Sequence, residues 1–258
     1  MGLVIGIFSG KGGVGKTLLA TNLAAAFALG HRARTALIDL NPGNGTADLL
    51  LDLEPERSWA DLRDVITELT PQHLQLAVTP YRPGLDLLAS PPQIAWDQPL
   101  RTGGVASLLS AFREQYEAVL VDVPTGITGL AREALDEVDL RLILLTPDAP
   151  ALRVTSRYLN SLGTEGSPTG LVINQHTSGA AVTLAEIKDH LGKSLVGVLP
   201  IDPQGVWANV SYGEPCVLRK SSKLGAAIRN VSSRLLKMTK SNPKKDRYDE
   251  DRSNRPGG

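Results

Sequence analysis

The sequence lacks most of the residues and runs that define whole classes of protein. A single cysteine, Cys216, excludes a disulfide framework and any cysteine-cluster metal site within one chain, and we expect a partly buried thiol there. No apolar run reaches the ~18 residues that span a bilayer. The apolar stretch GLVIGIF is too short, and lacks the basic leader, for a secretion signal. We therefore expect a cytoplasmic protein, with a peripheral position at the membrane or nucleoid as the alternative.

A net charge is also lacking, but the charges are unevenly placed. The chain has 27 basic and 27 acidic residues. Residues 219–247 carry ten lysines or arginines against one acid, which leaves an acidic body with a basic segment near its end. This asymmetry predicts an anionic partner, such as nonspecific DNA or a membrane surface. A solvated terminal helix is the alternative interpretation.

Short apolar runs alternate with amphipathic stretches along most of the 258 residues. The pattern predicts strands at 3–9, 34–40, 85–90, 118–123, 140–146, 170–174 and 194–200. It predicts helices at 16–30, 58–69, 105–115, 149–163, 183–192 and about 222–240. Continuous apolar strands separated by helices indicate a doubly wound α/β fold, with a mostly parallel sheet covered on both faces. We predict one domain over residues 1–240 and a disordered charged tail over 241–258.

A glycine-rich loop follows the first predicted strand and opens the first predicted helix. Residues 10–17 read GKGGVGKT and fit the phosphate-loop pattern G-x-x-x-x-G-K-[ST]. Glycines let the loop turn its backbone N–H groups toward phosphate oxygens, because positive φ angles carry no Cβ penalty there. Lys16 is placed to reach the β- and γ-phosphates, and Thr17 to offer its hydroxyl to Mg²⁺. The predicted nucleotide contacts of the loop are Gly10, Lys11, Gly12, Gly13, Val14, Gly15, Lys16, Thr17 and Leu18.

The second lysine of this loop makes the resemblance specific. A phosphate cradle needs only Lys16, whereas the long side chain of Lys11 can point toward another phosphate-bearing chain. SGKGGVGKT (9–17) resembles the deviant Walker A motif of the ParA/MinD superfamily of ATPases. The resemblance implies that Lys11 crosses a dimer interface to the nucleotide of the partner subunit, and it implies catalytic roles for Lys11 and Lys16.

Further segments resemble the same family. AVLVDVPTG (118–126) is similar to its Walker B region, so that Thr17, Asp39 and Asp122 are the expected Mg²⁺ ligands. Asn174 falls where the family has a base-contacting asparagine. Residues 197–215 are similar to the loop that encloses adenine, with Pro200 and Asp202 at matching positions. The stretches 46–62 and 84–92 look most like the MinD-like and TadZ-type branch.

Two positions depart from the family pattern. The second carboxylate of its D-x-D motif is associated with positioning the attacking water, and the sequence has Asp39, Leu40 and Asn41 instead. An amide accepts a hydrogen bond but takes no proton at neutral pH, so we expect slow hydrolysis with ATP binding retained. Asp48 is a candidate substitute for the lost carboxylate. Arg153 matches an interface arginine of the family, but Val154 replaces the aspartate that follows it in the MinD group.

The resemblance implies a bacterial ATPase that dimerises with ATP and Mg²⁺ and localises a cargo, such as a division site, a DNA locus or a pilus assembly. It also implies an unidentified protein activator or cargo partner. One alternative is an ATP-binding scaffold dimer without hydrolysis, which Asn41 favours. Two others are an iron–sulfur carrier, which would need interface cysteines, and a bacterial tyrosine kinase, which would need more tail tyrosines than Tyr248.

Overall fold

The backbone forms one eight-stranded sheet, seen in a computed structural model that describes residues 1–92, 100, 103–163 and 166–240. The strand order is β3-β4-β2-β5-β1-β6-β7-β8. Every neighbouring pair is parallel except β3 and β4. The strands are β1 Leu3–Phe8, β2 Thr35–Asp39, β3 Thr79–Arg82, β4 Leu85–Leu88, β5 Ala118–Asp122, β6 Leu140–Leu145, β7 Thr169–His176 and β8 Ser194–Pro200. The predicted doubly wound α/β class is confirmed.

Helices cover both faces of this sheet. They are α1 Lys16–Ala25, α2 Ala47–Leu50, α3 Pro71–Ala77, α4 Gly104–Gln115, α5 Gly129–Glu137, α6 Ala149–Leu162, α7 Leu184–Leu191, α8 Pro203–Tyr212 and α9 Lys223–Lys240. One core lies between the sheet and α3 to α7, and the other lies between the sheet, α1 and α9. The central strand β1 supplies Val4 and Phe8 to the first core and Ile5 and Ile7 to the second. Such a strand is buried on both faces, as its unbroken apolar sequence predicts.

Several predicted elements differ in detail from the observed ones. The predicted helix over 58–69 is a 3₁₀ helix, Trp59–Val65. The last turn of the predicted helix over 16–30 is a π-helix, Ala26–Gly30. Four helices, α2, α3, α5 and α8, and the strand β3 were not predicted from the pattern. Of these, α5 and α8 begin at Thr128 and Asp202, whose side chains accept hydrogen bonds from backbone N–H groups in the first turn. Both are capping residues of the types that favour a helix start.

The strand register places the carboxyl ends of β1, β2 and β5 side by side. Asp39 at the end of β2 pairs with Asp122 at the end of β5, and Asp122 also pairs with Ile7 in β1. In parallel α/β sheets the carboxyl edge is where ligands bind. Two of the three predicted Mg²⁺ ligands therefore meet at this edge.

None of the described helices is both long and apolar enough to cross a membrane. The tail over 241–258, predicted to be disordered, lies outside the described residues.

Candidate functional site

The glycine-rich loop between β1 and α1 has the backbone that its sequence predicts. Gly13 and Gly15 have positive φ angles of 75° and 89°. Gly15 is also the N-cap of α1, and no side chain caps that helix. The first N–H groups of α1 are therefore open to an anion, and the helix dipole favours negative charge at this position.

Lys16, Thr17 and Asp122 form a tight polar cluster beneath the loop. The Lys16 Nζ atom donates to Asp122 Oδ1 at 2.8 Å, and the Thr17 hydroxyl donates to Asp122 Oδ2 at 2.6 Å. The side chains of Lys16 and Asp122 are 8% and 0% exposed. Residues far apart in sequence thus bring a cation, a hydroxyl and a carboxylate to one point.

Asp39 lies beside this cluster and is buried. Its Oδ2 atom accepts hydrogen bonds from the N–H groups of Thr46 and Ala47 at 3.1 and 3.2 Å. Burial, followed by the nearby charge of Asp122, raises the pKa of Asp39 to about 6. The Lys16 ammonium group contacts Asp122 but not Asp39 among the described contacts, and a divalent cation would relieve the repulsion between the two buried carboxylates.

Asn41 bridges the two carboxylates. Its Nδ2 atom donates to Asp39 Oδ1 at 2.7 Å and to Asp122 Oδ2 at 3.0 Å, and its Oδ1 atom accepts from Lys16 Nζ at 3.3 Å. The amide thus contacts all three charged groups of the site. The sequence indicated that Asn41 lacks a charge, and the structure adds that its hydrogen-bonding groups are already used. Asp48, the candidate substitute, lies in the first turn of α2, where its neighbour Ala47 rather than its own carboxylate contacts Asp39.

A cavity of about 700 Å³ adjoins the loop. The predicted contacts Gly13, Gly15, Leu18, Asn174, Pro200 and Asp202 all line it. The remaining wall is largely apolar and comes from the residues that follow β8. The structure therefore brings three of the nine predicted loop contacts and the three predicted base-side residues to one cavity.

Two of these lining residues have their side chains engaged in the fold. Asn174 Nδ2 donates to the Val14 carbonyl at 2.8 Å, and its Oδ1 accepts from the Gln175 N–H at 2.9 Å. The Asp202 carboxylate accepts from Gly205 N and Ser222 Oγ at 3.0 and 2.7 Å, which ties α8 to the residues before α9. Asn174 braces the phosphate loop, and Asp202 fixes the wall opposite it.

Lys11 is placed differently from Lys16. Its side chain is 48% exposed, and its Nζ atom lies 3.6 Å from Asp148 Oδ1 at the start of α6. A contact of this length between exposed groups contributes about 0–1 kcal/mol, so Lys11 is free to exchange it for another partner. Arg153, the predicted interface arginine, is exposed on the same helix.

The sequence placed Trp207 within the segment 197–215 that is similar to the adenine loop but did not single it out, and it lines the cavity from α8. A helix-start signal was present, because Asp202 is followed at once by Pro203, a pair typical of an N-cap and first helical position. Cys216 is fully buried, and burial raises the pKa of its thiol to about 11. This burial contradicts the interface cysteine that an iron–sulfur carrier would need, and it exceeds the partial burial predicted.

The donor set suits a magnesium nucleotide. Hydroxyl and carboxylate oxygens from Thr17, Asp39 and Asp122 are ligands that Mg²⁺ prefers, and Lys16 with the uncapped helix start suits phosphates. In the described part of the chain, no group of three His, Cys, Asp or Glu side chains could hold a metal ion by itself. Phosphate oxygens and waters would therefore complete the Mg²⁺ shell.

Sequence comparison places this site among known nucleotide-binding proteins. The family model for the CobQ/CobB/MinD/ParA nucleotide binding domain matches residues 5–215. The septum site-determining protein MinD of Synechocystis sp. is 30% identical over 243 residues, which cover 91% of this chain and 90% of that protein.

Solved MinD structures have a fold similar to that of this chain. The MinC:MinD cell division protein complex of Aquifex aeolicus has 28% identity and a TM-score of 0.76, covering 93% of this chain and 97% of that one. MinD of Pyrococcus horikoshii, solved with Mg-ADP, has 20% identity and a TM-score of 0.81, covering 93% of this chain and 98% of that one.

Proposed function

The chain belongs to the CobQ/CobB/MinD/ParA nucleotide-binding family, and from that premise we propose that it is a slow ATPase whose ATP-bound dimer localises a cellular cargo. The resemblance identified from residues 9–17 is thereby confirmed. ATP and Mg²⁺ are its cofactors. The cargo is a division site, as the name of the MinD relatives suggests, or another assembly such as a DNA locus or a pilus.

The observation that carries this proposal is the contrasting placement of the two loop lysines. Lys16 is buried and bonded to Asp122, so it serves the phosphates of its own chain. Lys11 is half-exposed, and the described partner of its ammonium group is Asp148, 3.6 Å away at the start of α6. A phosphate of a second chain offers a stronger, charge-assisted partner than this contact, so dimerisation would depend on the nucleotide.

Each residue of the site has a distinct part in this function. The N–H groups that open α1 and the Lys16 ammonium would hold phosphate oxygens, while Thr17, Asp39 and Asp122 would hold Mg²⁺. Bound Mg·ATP supplies the γ-phosphoryl group that distinguishes the two states of the switch. Asn174 keeps the loop in place through the Val14 carbonyl.

Gel filtration with Mg·ATP tests the dimer. We expect wild-type protein to elute as a dimer with ATP and as a monomer with ADP. Lys11→Ala should bind ATP but remain monomeric, because the exposed charge between the chains is lost. Lys188→Ala removes an exposed lysine from α7 and should dimerise like wild type. Lys11→Ala dimers as stable as wild type would overturn the proposal.

A second candidate is a scaffold dimer that binds ATP without hydrolysing it. Asn41 favours this function, because its amide is bonded to both carboxylates and to Lys16 and offers no group that takes a proton. Phosphate release at the background rate, with ATP binding intact, would decide for the scaffold.

We also propose that the basic segment over residues 219–247 binds an anionic surface, either nonspecific DNA or a membrane. This binding would hold the cytoplasmic protein at the periphery of the nucleoid or membrane. Lys220 and Lys223 have exposed side chains. Arg229 and Arg234 donate to the carbonyls of Val217 and Val196, so part of their role is to dock α9. A protein activator or cargo adaptor completes the proposed set of partners, and the MinD of Aquifex aeolicus is an example of a relative in complex with a second protein, MinC.

A further inference from the structure

Three large apolar side chains around α8 are exposed at the wall of the nucleotide cavity. Ile201, Trp207 and Val210 are 51%, 60% and 58% exposed, and all three line the cavity together with Gly13 and Gly15. Apolar groups cannot hold phosphates, so the two walls have different tasks. The glycine loop suits the phosphates, and the wall from Ile201 to Val210 suits a flat apolar surface.

The polar side chains at this end of the cavity are already engaged. The amide of Asn174 uses its nitrogen on the Val14 carbonyl and its oxygen on the Gln175 N–H. A Cβ atom at Gly15 would lie 2.8 Å from the same nitrogen, so Asn174 is packed directly against the loop. The Asp202 carboxylate is held by the N–H groups of Gly205 and Leu224 and by the Ser222 hydroxyl. Recognition of a base must therefore depend mainly on the apolar wall.

We propose that Trp207 is the stacking surface for the nucleobase. Its indole is the largest flat group on the cavity wall, and the Tyr212 ring supports it edge-to-face at 5.4 Å between centroids. This contact restrains the indole before any base arrives, which reduces the entropy lost on binding. Stacking accepts any base with a π-face, so Trp207 adds affinity without discriminating between purines. The inference rests on the proposed binding of ATP at this site.

Calorimetric titration of Trp207→Ala with Mg·ATP, Mg·GTP and Mg·tripolyphosphate tests the inference. We expect affinity for ATP and for GTP to fall by a similar factor, on the order of tenfold, the loss typical of one aromatic–base stack. Affinity for tripolyphosphate should stay at the wild-type value, because the loop and Lys16 are unchanged. Trp207→Phe keeps a π-face and should restore most of the loss.

Leu76→Ala provides the matched control, since it removes another exposed apolar side chain, 56% exposed on α3, far from the cavity lining. It should bind all three ligands like wild type. Trp207→Ala that binds ATP as tightly as wild type would overturn the inference, and so would an equal loss for tripolyphosphate. Wild-type protein that fails to bind ATP would instead contradict the proposed function itself.

Indole fluorescence gives a second measurement that does not depend on the alanine variant. ATP should quench the emission of wild-type protein, and most of this ATP-dependent change should be lost in Trp207→Phe, in which Trp59, whose indole donates to the Asp39 carbonyl, still emits. An unchanged response in Trp207→Phe would place the base elsewhere.

Discussion

At the scale of single residues, Asn41 determines how the charges of the site are balanced. An aspartate there would be a third carboxylate beside Asp39 and Asp122, and Lys16 is the one cation that contacts residue 41 in the described part of the chain. The neutral amide avoids that repulsion and donates to both carboxylates. Asparagine in place of aspartate also removes a carboxylate that could orient and deprotonate water.

Asn41→Asp should therefore increase the rate of ATP hydrolysis. We expect about a hundredfold rise in phosphate release with saturating Mg·ATP, the lower end of what a positioned general base contributes. Asn44→Asp adds the same charge at an exposed position of the same segment and should leave the rate unchanged. If Asn41→Asp binds ATP but releases phosphate no faster than wild type, the group that limits hydrolysis is not residue 41.

The backbone conformation and the roles of the loop residues could be predicted from sequence because their chemistry is local. The positive φ angles of Gly13 and Gly15 follow from a loop that must fold around phosphates. The role of Asn174 could not be predicted, because its partner, the Val14 carbonyl, lies 160 positions away. The same holds for the contact between Asn41 and Asp122, which are 81 positions apart.

At the scale of secondary structure, the start of α9 shows how closely the elements pack. Gly225 lies in the first turn of α9, and a Cβ atom there would come within 2.1 Å of the Cys216 carbonyl oxygen. Only glycine, which has no Cβ atom, fits this close contact. The helix therefore depends on one small residue for its approach to the chain before it.

Gly225→Ala should lower the free energy of unfolding by about 1–3 kcal/mol, the usual cost of overpacking a close contact. Urea unfolding followed by circular dichroism measures the change. Gly129→Ala is the matched control, because a Cβ atom at Gly129 in α5 meets nothing within 4 Å. That variant should be as stable as wild type or slightly more stable. Equal stability of Gly225→Ala and wild type would contradict the packing described for α9.

Elements with strong periodic patterns were predicted correctly, and the differences have local causes. The 3₁₀ helix over Trp59–Val65 begins at Ser58, whose side chain forms a capping box with Asp61. Trp59 also donates its indole N–H to the Asp39 carbonyl at 3.0 Å, which fixes the helix against the end of β2. This tertiary hydrogen bond is invisible in a hydrophobic pattern that by itself indicates an α-helix.

At the scale of the whole molecule, the uneven distribution of charge would gain its proposed role in surface binding when two chains combine. Residues 219–238 hold six lysines or arginines and no acid. A dimer presents this surface twice, and binding to a polyanion strengthens steeply with the number of contacts. The nucleotide would thus control attachment without touching the basic helix.

Lys220→Ala combined with Lys223→Ala should weaken binding to an anionic surface by ATP-bound protein. On nucleoid-length DNA, filter binding at two or more salt concentrations should show a salt slope smaller by about two per chain. Anionic vesicles in a sedimentation assay distinguish a membrane from DNA. Lys188→Ala, on the opposite face of the sheet, should behave like wild type. Binding by the double variant with an unchanged salt slope on both surfaces would contradict the proposed role of the basic segment.

The architecture of the whole molecule was the most predictable level, since alternating strands and helices leave few arrangements of a parallel sheet. The relation between two copies was not predictable in the same way. Lys11 reaches Asp148 within its own chain, and its proposed second position depends on a surface that only another chain provides.

The burial of Cys216 has a practical consequence for following such assemblies in solution. With its pKa raised to about 11, little of this thiol is ionised at neutral pH, and the protein around it blocks reagents. The natural sequence is therefore already a low-background host for thiol-directed dyes or spin labels. A cysteine introduced on any exposed helix can be labelled selectively, so distances between two copies can be measured without altering the native core.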